Sequence, residues 1–213
     1  ETGLRVMRIA VSTPHQGLGI GRWMLAKLSE QTSQADYLAT SFGATSELIS
    51  FWRGNDFVPV HIGHQRDQAS GCHSVLMVKA LNSSSQSWIN QALSHFERSY
   101  CFLVSGSLVS LETDMARALL PKSVDTVSEF ETQLVRNYVN GGNSYDAISF
   151  SVLNLILLGN DRNIGISDLL IAKVVQQKEW GTCVEQSNHV GRKQAEIQFR
   201  KDVDVLLANL QCK

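Results

Sequence analysis

Hydrophobic and polar positions change rhythm near residue 82. Before it, short apolar runs are cut by turn residues. Residues 4–11 (LRVMRIAV) predict a strand with Val6, Ile9 and Val11 facing a core, and Ser12-Thr13-Pro14 ends it, because proline cannot donate to a ladder. From about Leu18, the apolar residues Ile20, Trp23, Met24, Leu25 and Leu28 recur at helical spacing. Residues 36–41 (DYLATS) predict a short strand, and Phe42-Gly43 a turn. Thr45 or Ser46 is the expected N-cap of a helix over 47–53 that buries Leu48, Ile49, Phe51 and Trp52 and stops at Gly54-Asn55-Asp56. Residues 57–62 and 74–80 predict two more strands, joined by the polar loop GHQRDQASGCH. Asn82-Ser83-Ser84-Ser85 reads as a linker. Beyond it, helical patterns cover 88–103, 109–120, 127–139, 145–158, 166–178 and 190–210, punctuated by Pro121, Gly141-Gly142 and Gly159-Asn160. The pattern therefore predicts an α/β domain over 1–81 and a mainly α-helical domain over 82–213.

Composition narrows the class. A hydrophobic fraction of 43% and a charged fraction of 18% over 213 residues describe a folded chain with room for one large or two small domains. The formal net charge of −1 is nearly balanced on both sides of Leu81, so nucleic-acid binding requires a local basic patch. Cys72, Cys101, Cys183 and Cys212 are scattered without a C-x-x-C pair, which predicts reduced thiols and no metal site. No apolar run reaches the roughly 20 residues of a membrane span, and no signal peptide is visible, so a cytoplasmic protein is expected. The chain opens Glu1-Thr2-Gly3 and passes at once into a strand, the pattern expected of a piece of something longer.

Candidate chemistry gathers where the first strand ends. A strand that delivers a glycine-rich turn into a helix aims unpaired backbone N–H groups at one point, and the helix dipole favours negative charge there. Gln16, Gly17, Gly19 and Gly21 in that position suit a phosphate or pyrophosphate; they also suit an ordinary strand–turn–helix, and glycines alone leave both open.

In the order strand, Q-x-x-G-x-G, helix, strand, helix, hairpin, the first part resembles the Gcn5-related N-acetyltransferase superfamily, with the motif standing as Gln16-Gly17-Leu18-Gly19-Ile20-Gly21. The closer likeness is to the bacterial tRNA(Met) cytidine acetyltransferases, through RIAV (8–11), QGLGIGR (16–22), SFGATSELISFW (41–52) and HQRDQASGCHSVLM (64–77). The helical remainder has the position and length of that family's C-terminal tail. The resemblance implies the second half of an acetyltransferase fold, C-terminal to opening strands and to a helicase-like ATP module. No G-x-x-x-x-G-K-[ST] occurs here, so ATP enters only through a module this chain lacks.

By the same resemblance, acetyl-CoA lies against Ile9, Ala10 and Val11, an N–H near Val11 polarises the thioester carbonyl, and Gln16, Gly17, Leu18, Gly19, Ile20, Gly21 and Arg22 wrap the pyrophosphate. Glu47 and Arg53 are further cofactor contacts. Where the family reads F-W-x-R-C-G-F, this chain reads Phe51-Trp52-Arg53-Gly54-Asn55-Asp56-Phe57, and one helical position turns a side chain by about 100°. The exocyclic amine of cytidine, conjugated with its ring, must lose a proton as the intermediate collapses, and His64, His73 and Asp67 in the hairpin loop are the candidates to take it. Arg66, Arg192, Lys193, Arg200 and Lys201 are candidate RNA contacts, the last four spaced to share one helix face. The implied reaction transfers acetyl from acetyl-CoA to the wobble cytidine of elongator tRNA(Met). The alternatives are an acetyltransferase acting on a protein or small amine, and a non-catalytic RNA-binding module. Two further expectations follow from a truncated fold: the isolated chain does not modify tRNA, and the unpaired edge of its first strand drives self-association.

Overall fold

The computed structural model describes residues 1–32, 34–68, 70–122, 126–187 and 189–211; Cys212 lies outside them. Contacts divide the chain into two compact units, Glu1–Arg98 and Ser99–Lys213.

The first unit carries a four-stranded sheet of order β1-β2-β4-β3. β1 (Gly3–Arg5) pairs parallel with β2 (Tyr37–Gly43), and α1 (Ile20–Gln31) makes the crossover between them. β2 pairs antiparallel with β4 (His73–Ala80) from Tyr37↔Ala80 to Gly43↔Ser74, and β3 (Val58–Arg66) pairs antiparallel with β4 on its other side. α2 (Ser46–Arg53) joins β2 to β3, and the Thr45 side chain caps it by accepting from the Leu48 N–H, as the sequence predicts. Its Trp52 stacks with Phe42 at 5.9 Å and meets Phe51 and Phe57 edge-on at 5.3 and 4.7 Å. Leu38, Ile49, Phe57, Ile62, Val75 and Met77 close the core.

Several expectations are corrected. The strand over 4–11 stops at Arg5: Val6 N–H still donates to Ala39 O at 2.8 Å, and then the chain leaves the β2 edge. Hydrophobic alternation marks extended chain, not paired chain. Val6, Ile9 and Val11 are half-buried, not core. Phe42-Gly43 is no turn, because β4 continues to pair with both residues. On α1 only Leu25 is buried; Trp23 is 62% exposed. The supposed linker is the first turn of α3 (Ser83–Ser105): Asn82 Oδ1 accepts from Ser85 N–H, and the buried Ser85 hydroxyl donates to Asp36 O at 2.6 Å. Asp36 ties this corner, accepting also from Thr2 N–H and Asn82 Nδ2, both at 2.7 Å; these bonds hold its pKa below the usual value.

The second unit packs α4 (Thr113–Ala118), α5 (Glu129–Val139), α6 (Tyr145–Asp161), α7 (Asp168–Leu170) with the π-helical turn Ile171–Val175, α8 (Trp180–Gln186) and α9 (Arg192–Gln211). The predicted helix over 109–120 shrinks to α4, and its approach is set by Gln176, whose fully buried amide donates to Val109 O and Leu111 O. The helix expected over 166–178 is a short α-turn widened into a π-turn, and α8 falls between the expected helices, in a stretch with no predicted element. Val135, Ile148, Val152, Phe199 and Val203 form the core. Within it, Lys173 Nζ donates to Lys178 O at 2.8 Å and sits 5.1 Å from the rings of Tyr145 and Trp180. Burial pushes the Tyr145 phenol up to about 12. Cys72, Cys101 and Cys183 are free thiols.

Candidate functional site

Where the chain leaves β2, an open groove of about 910 Å³ forms in the first unit. One wall is the extended segment Ile9, Ala10 and Val11; the floor is the glycine turn and the first residues of α1; the far wall is the start and end of α2, from Glu47 and Leu48 to Phe51 and Asn55. Leu48 and Phe51, expected in the core, face this groove. Helical periodicity identifies the apolar positions but not whether their face meets a sheet or a cleft.

The floor is built from backbone. Gly17 and Gly19 lie at φ 77 and 79, the left-handed region that side chains resist, and Gly19 is the N-cap of α1. No side chain caps α1, and its first backbone bond is Trp23 N–H to Gly19 O at 2.9 Å. The N–H groups from Gly17 to Arg22 therefore carry no hydrogen bond among the described residues, nor do those from Met7 to Ser12. Gly21 keeps the helix close to α2: a Cβ there would lie 3.0 Å from Phe51 Cε2. Two clamps hold the frame. Gln16 Nε2 donates to Val11 O at 2.9 Å, and Arg22 Nη2 donates to Gly54 O at 3.2 Å.

Glu47 lines the groove from the first turn of α2, its pKa held below the ordinary value by its own backbone N–H and the Thr45 and Ser46 hydroxyls. With His15 and Arg22 it makes up the titratable and charged lining. The groove so offers two rows of backbone donors along one apolar-walled channel, an arrangement fit for an extended ligand that carries carbonyls at one end and phosphates at the other.

Of the residues singled out from sequence, Ile9, Ala10, Val11, Gln16, Gly17, Gly19, Ile20, Gly21, Arg22 and Glu47 line this groove together; Leu18 and Arg53 do not. His64, Asp67 and His73 do not line it either. Asp67 organises the hairpin turn, accepting from Ser70 N–H at 2.8 Å, and Arg66 Nη1 donates to Gly71 O at 3.0 Å. The buried His73 pairs its Nδ1 with Gly63 O at 2.9 Å. In the second unit Arg192 pairs with Glu196 at 2.7 Å, the Arg200 guanidinium lies 4.8 Å from the Tyr138 ring centre, and Lys193 and Lys201 are exposed. His15, Ser50 and Asn55 are groove residues that sequence reasoning missed. Asn55 had a signal, since it stands where the chain departs from the family pattern.

A parallel strand pair that opens over a glycine-rich helix start defines an acetyltransferase module of the Gcn5-related kind. Residues 22–82 match the family model described as GNAT acetyltransferase 2. Over 210 residues, 98% of its length, the chain is 38% identical to the tRNA(Met) cytidine acetyltransferase TmcA of Vibrio cholerae, and over 196 residues it is 32% identical to that of Haloferax volcanii. It spans 29% and 26% of those two proteins. The chain belongs with the tRNA(Met) cytidine acetyltransferases, as a GNAT module followed by a helical region.

Proposed function

We propose that the groove binds acetyl-CoA and that the chain is the acetyl-transferring part of an enzyme that modifies the exocyclic amine of the wobble cytidine in elongator tRNA(Met). The observation that carries this reading is the pair of stretches that line one groove and leave their N–H groups unused, Ile9–Val11 on its wall and Gly17 with Gly19–Arg22 on its floor. The first row supports the pantetheine carbonyls and, near Val11, the oxyanion formed when the amine attacks the thioester. The second receives the pyrophosphate at the start of α1. The amine nitrogen bonds to the acetyl carbon, the carbon–sulfur bond breaks, and CoA leaves as the thiol with the proton the amine gives up.

In this reading the module covers 1–81 and contributes Arg66, and 82–213 is the part that holds tRNA, through Lys193 and Lys201, while Arg192 and Arg200 are engaged by Glu196 and the Tyr138 ring. ATP is consumed in a part of the protein outside this chain, in the cytoplasm. No helix among the described residues is long and apolar enough to cross a membrane. On its own the chain self-associates through the outer edge of β1, beside the exposed Leu4, Met7 and Trp23.

The test is acetyl-CoA titration of the full-length protein and of Gly19→Glu, which sets a carboxylate in the pyrophosphate cradle. Binding should be lost, and undiminished binding overturns the cradle. Acetylcytidine in tRNA from a deletion strain should disappear; a normal level would assign the groove to a protein or small-amine acceptor instead.

A further inference from the structure

We infer that His15 is a cofactor-binding side chain that donates from Nε2 to the acetyl-CoA pyrophosphate, and that it makes cofactor affinity depend on pH. The inference rests on the acetyl-CoA reading above and adds to its backbone cradle a titratable ligand.

Three observations place it. His15 closes the 3-10 turn Thr13–His15 between the two donor rows, two residues before Gly17, and lines the same groove. The turn is pinned at both ends: His15 N–H donates to Ser12 O at 2.8 Å, Gln16 N–H to Thr13 O at 3.2 Å, and Pro14 fixes φ between them. The ring is pinned as well, since Nδ1 lies 2.8 Å from Ser12 Oγ. When the serine hydroxyl donates to Nδ1, the neutral ring carries its proton on Nε2, and Nε2 is the nitrogen left for a ligand. Protonation makes Nε2 a charged donor without moving the ring. A diphosphate at the start of α1 favours that state, because a charge-assisted bond is about twice as strong as a neutral one.

The sign follows. Bound diphosphate favours imidazolium, so a proton is taken up on binding and affinity falls as pH rises from 6 to 8. The other charged groups of the groove do not produce this trend. Arginine keeps its charge over the range, which covers Arg22, and Glu47, already held below its ordinary value, stays ionised. The 3′-phosphate of CoA does titrate near pH 6, so the clean probe is dephospho-CoA, whose diphosphate diester does not.

The experiment is calorimetric titration of the full-length protein with acetyl-CoA, with CoA and with dephospho-CoA, at pH 6 and pH 8. His15→Ala should weaken all three ligands about tenfold at pH 6 and about threefold at pH 8, the difference between a charged and a neutral hydrogen bond. His15→Gln, which keeps a neutral donor, should restore most of the pH 8 affinity and none of the pH dependence. Ser12→Ala should weaken binding by a smaller factor by freeing the ring. A loss seen with acetyl-CoA and equally with CoA, but absent with dephospho-CoA, would put the imidazole on the 3′-phosphate and overturn the pyrophosphate contact. Equal affinities of wild type and His15→Ala, or a loss that does not change with pH, would overturn the inference while leaving the groove as the cofactor site. Failure of the wild-type protein to bind any of the three ligands would overturn both.

Discussion

At the scale of single residues, the groove depends on glycines used in two different ways. Gly21 is held by a neighbour: a Cβ there meets Phe51 at 3.0 Å. Gly19 is held by conformation alone, since at φ 79 a Cβ would meet nothing within 4 Å. Gly19→Ala is therefore expected to cost about 1–2 kcal/mol of folding stability through the left-handed backbone, with no clash against a neighbouring residue. Urea unfolding at neutral pH checks this, and a cost near zero would mean that the turn relaxes out of the left-handed region. The motif around these glycines was legible because Q-x-x-G-x-G spells out backbone needs. Val6, Ile9 and Val11 read as core residues and are half-buried instead, for the opposite reason. An apolar side chain that borders a ligand channel has the same identity as one that meets another side chain.

At the scale of elements, the chain's short polar residues do more capping than the sequence pattern conveys. The serines after Asn82 look like a linker by composition, but Asn82 and Ser85 hydrogen-bond as a helix start. The helix expected over 127–139 starts at Glu129, where Ser128 and Glu131 form a capping box with both reciprocal bonds. Glu131 also accepts from Asn154 Nδ2 at 2.7 Å, which ties α5 to α6. The Ser128 N–H, the Asn154 amide and the Ser128 hydroxyl together hold the Glu131 pKa below its ordinary 4.5. A carboxyl depressed in the folded state stabilises fully above its unfolded value, and the contribution is lost as pH falls below about 4.5 through the folded pKa. Glu131→Ala is expected to cost about 1 kcal/mol at pH 7, the usual value of a cap, and less at pH 3. Urea midpoints at the two pH values measure it, and an equal cost at both would exclude the ionised carboxylate as the source. The π-turn Ile171–Val175 had no comparable signal. It arises where Lys173 satisfies the Lys178 carbonyl five residues on and Gln176 satisfies that of Leu111 far back along the chain, neither of which local periodicity encodes.

At the scale of the whole molecule, near-neutral charge leaves any hold on tRNA to a few lysines and arginines, and the structure separates them by what they already touch. Arg200 lies against Tyr138, whose phenol burial pushes up, and Arg192 pairs with Glu196. Lys193 and Lys201 are exposed on α9. Sequence spacing put all four on one helix face but gave no sign that the Arg200 guanidinium spends its face on an aromatic ring. If the helical unit holds tRNA as proposed, Lys193→Ala with Lys201→Ala should reduce the dependence of log affinity on log salt by about one for each phosphate contact removed, without altering stability. Arg200→Ala should do the reverse. It should cost about 0.5–1 kcal/mol of stability from the lost cation–π contact and leave the salt slope nearly unchanged. Filter binding of tRNA(Met) to the full-length protein between 50 and 200 mM salt, a range in which phosphate contacts register strongly, reads both variants. A slope unchanged by the double lysine variant would remove α9 from the tRNA surface, whereas a slope lowered only by Arg200→Ala would show that the tyrosine-backed guanidinium is the phosphate ligand.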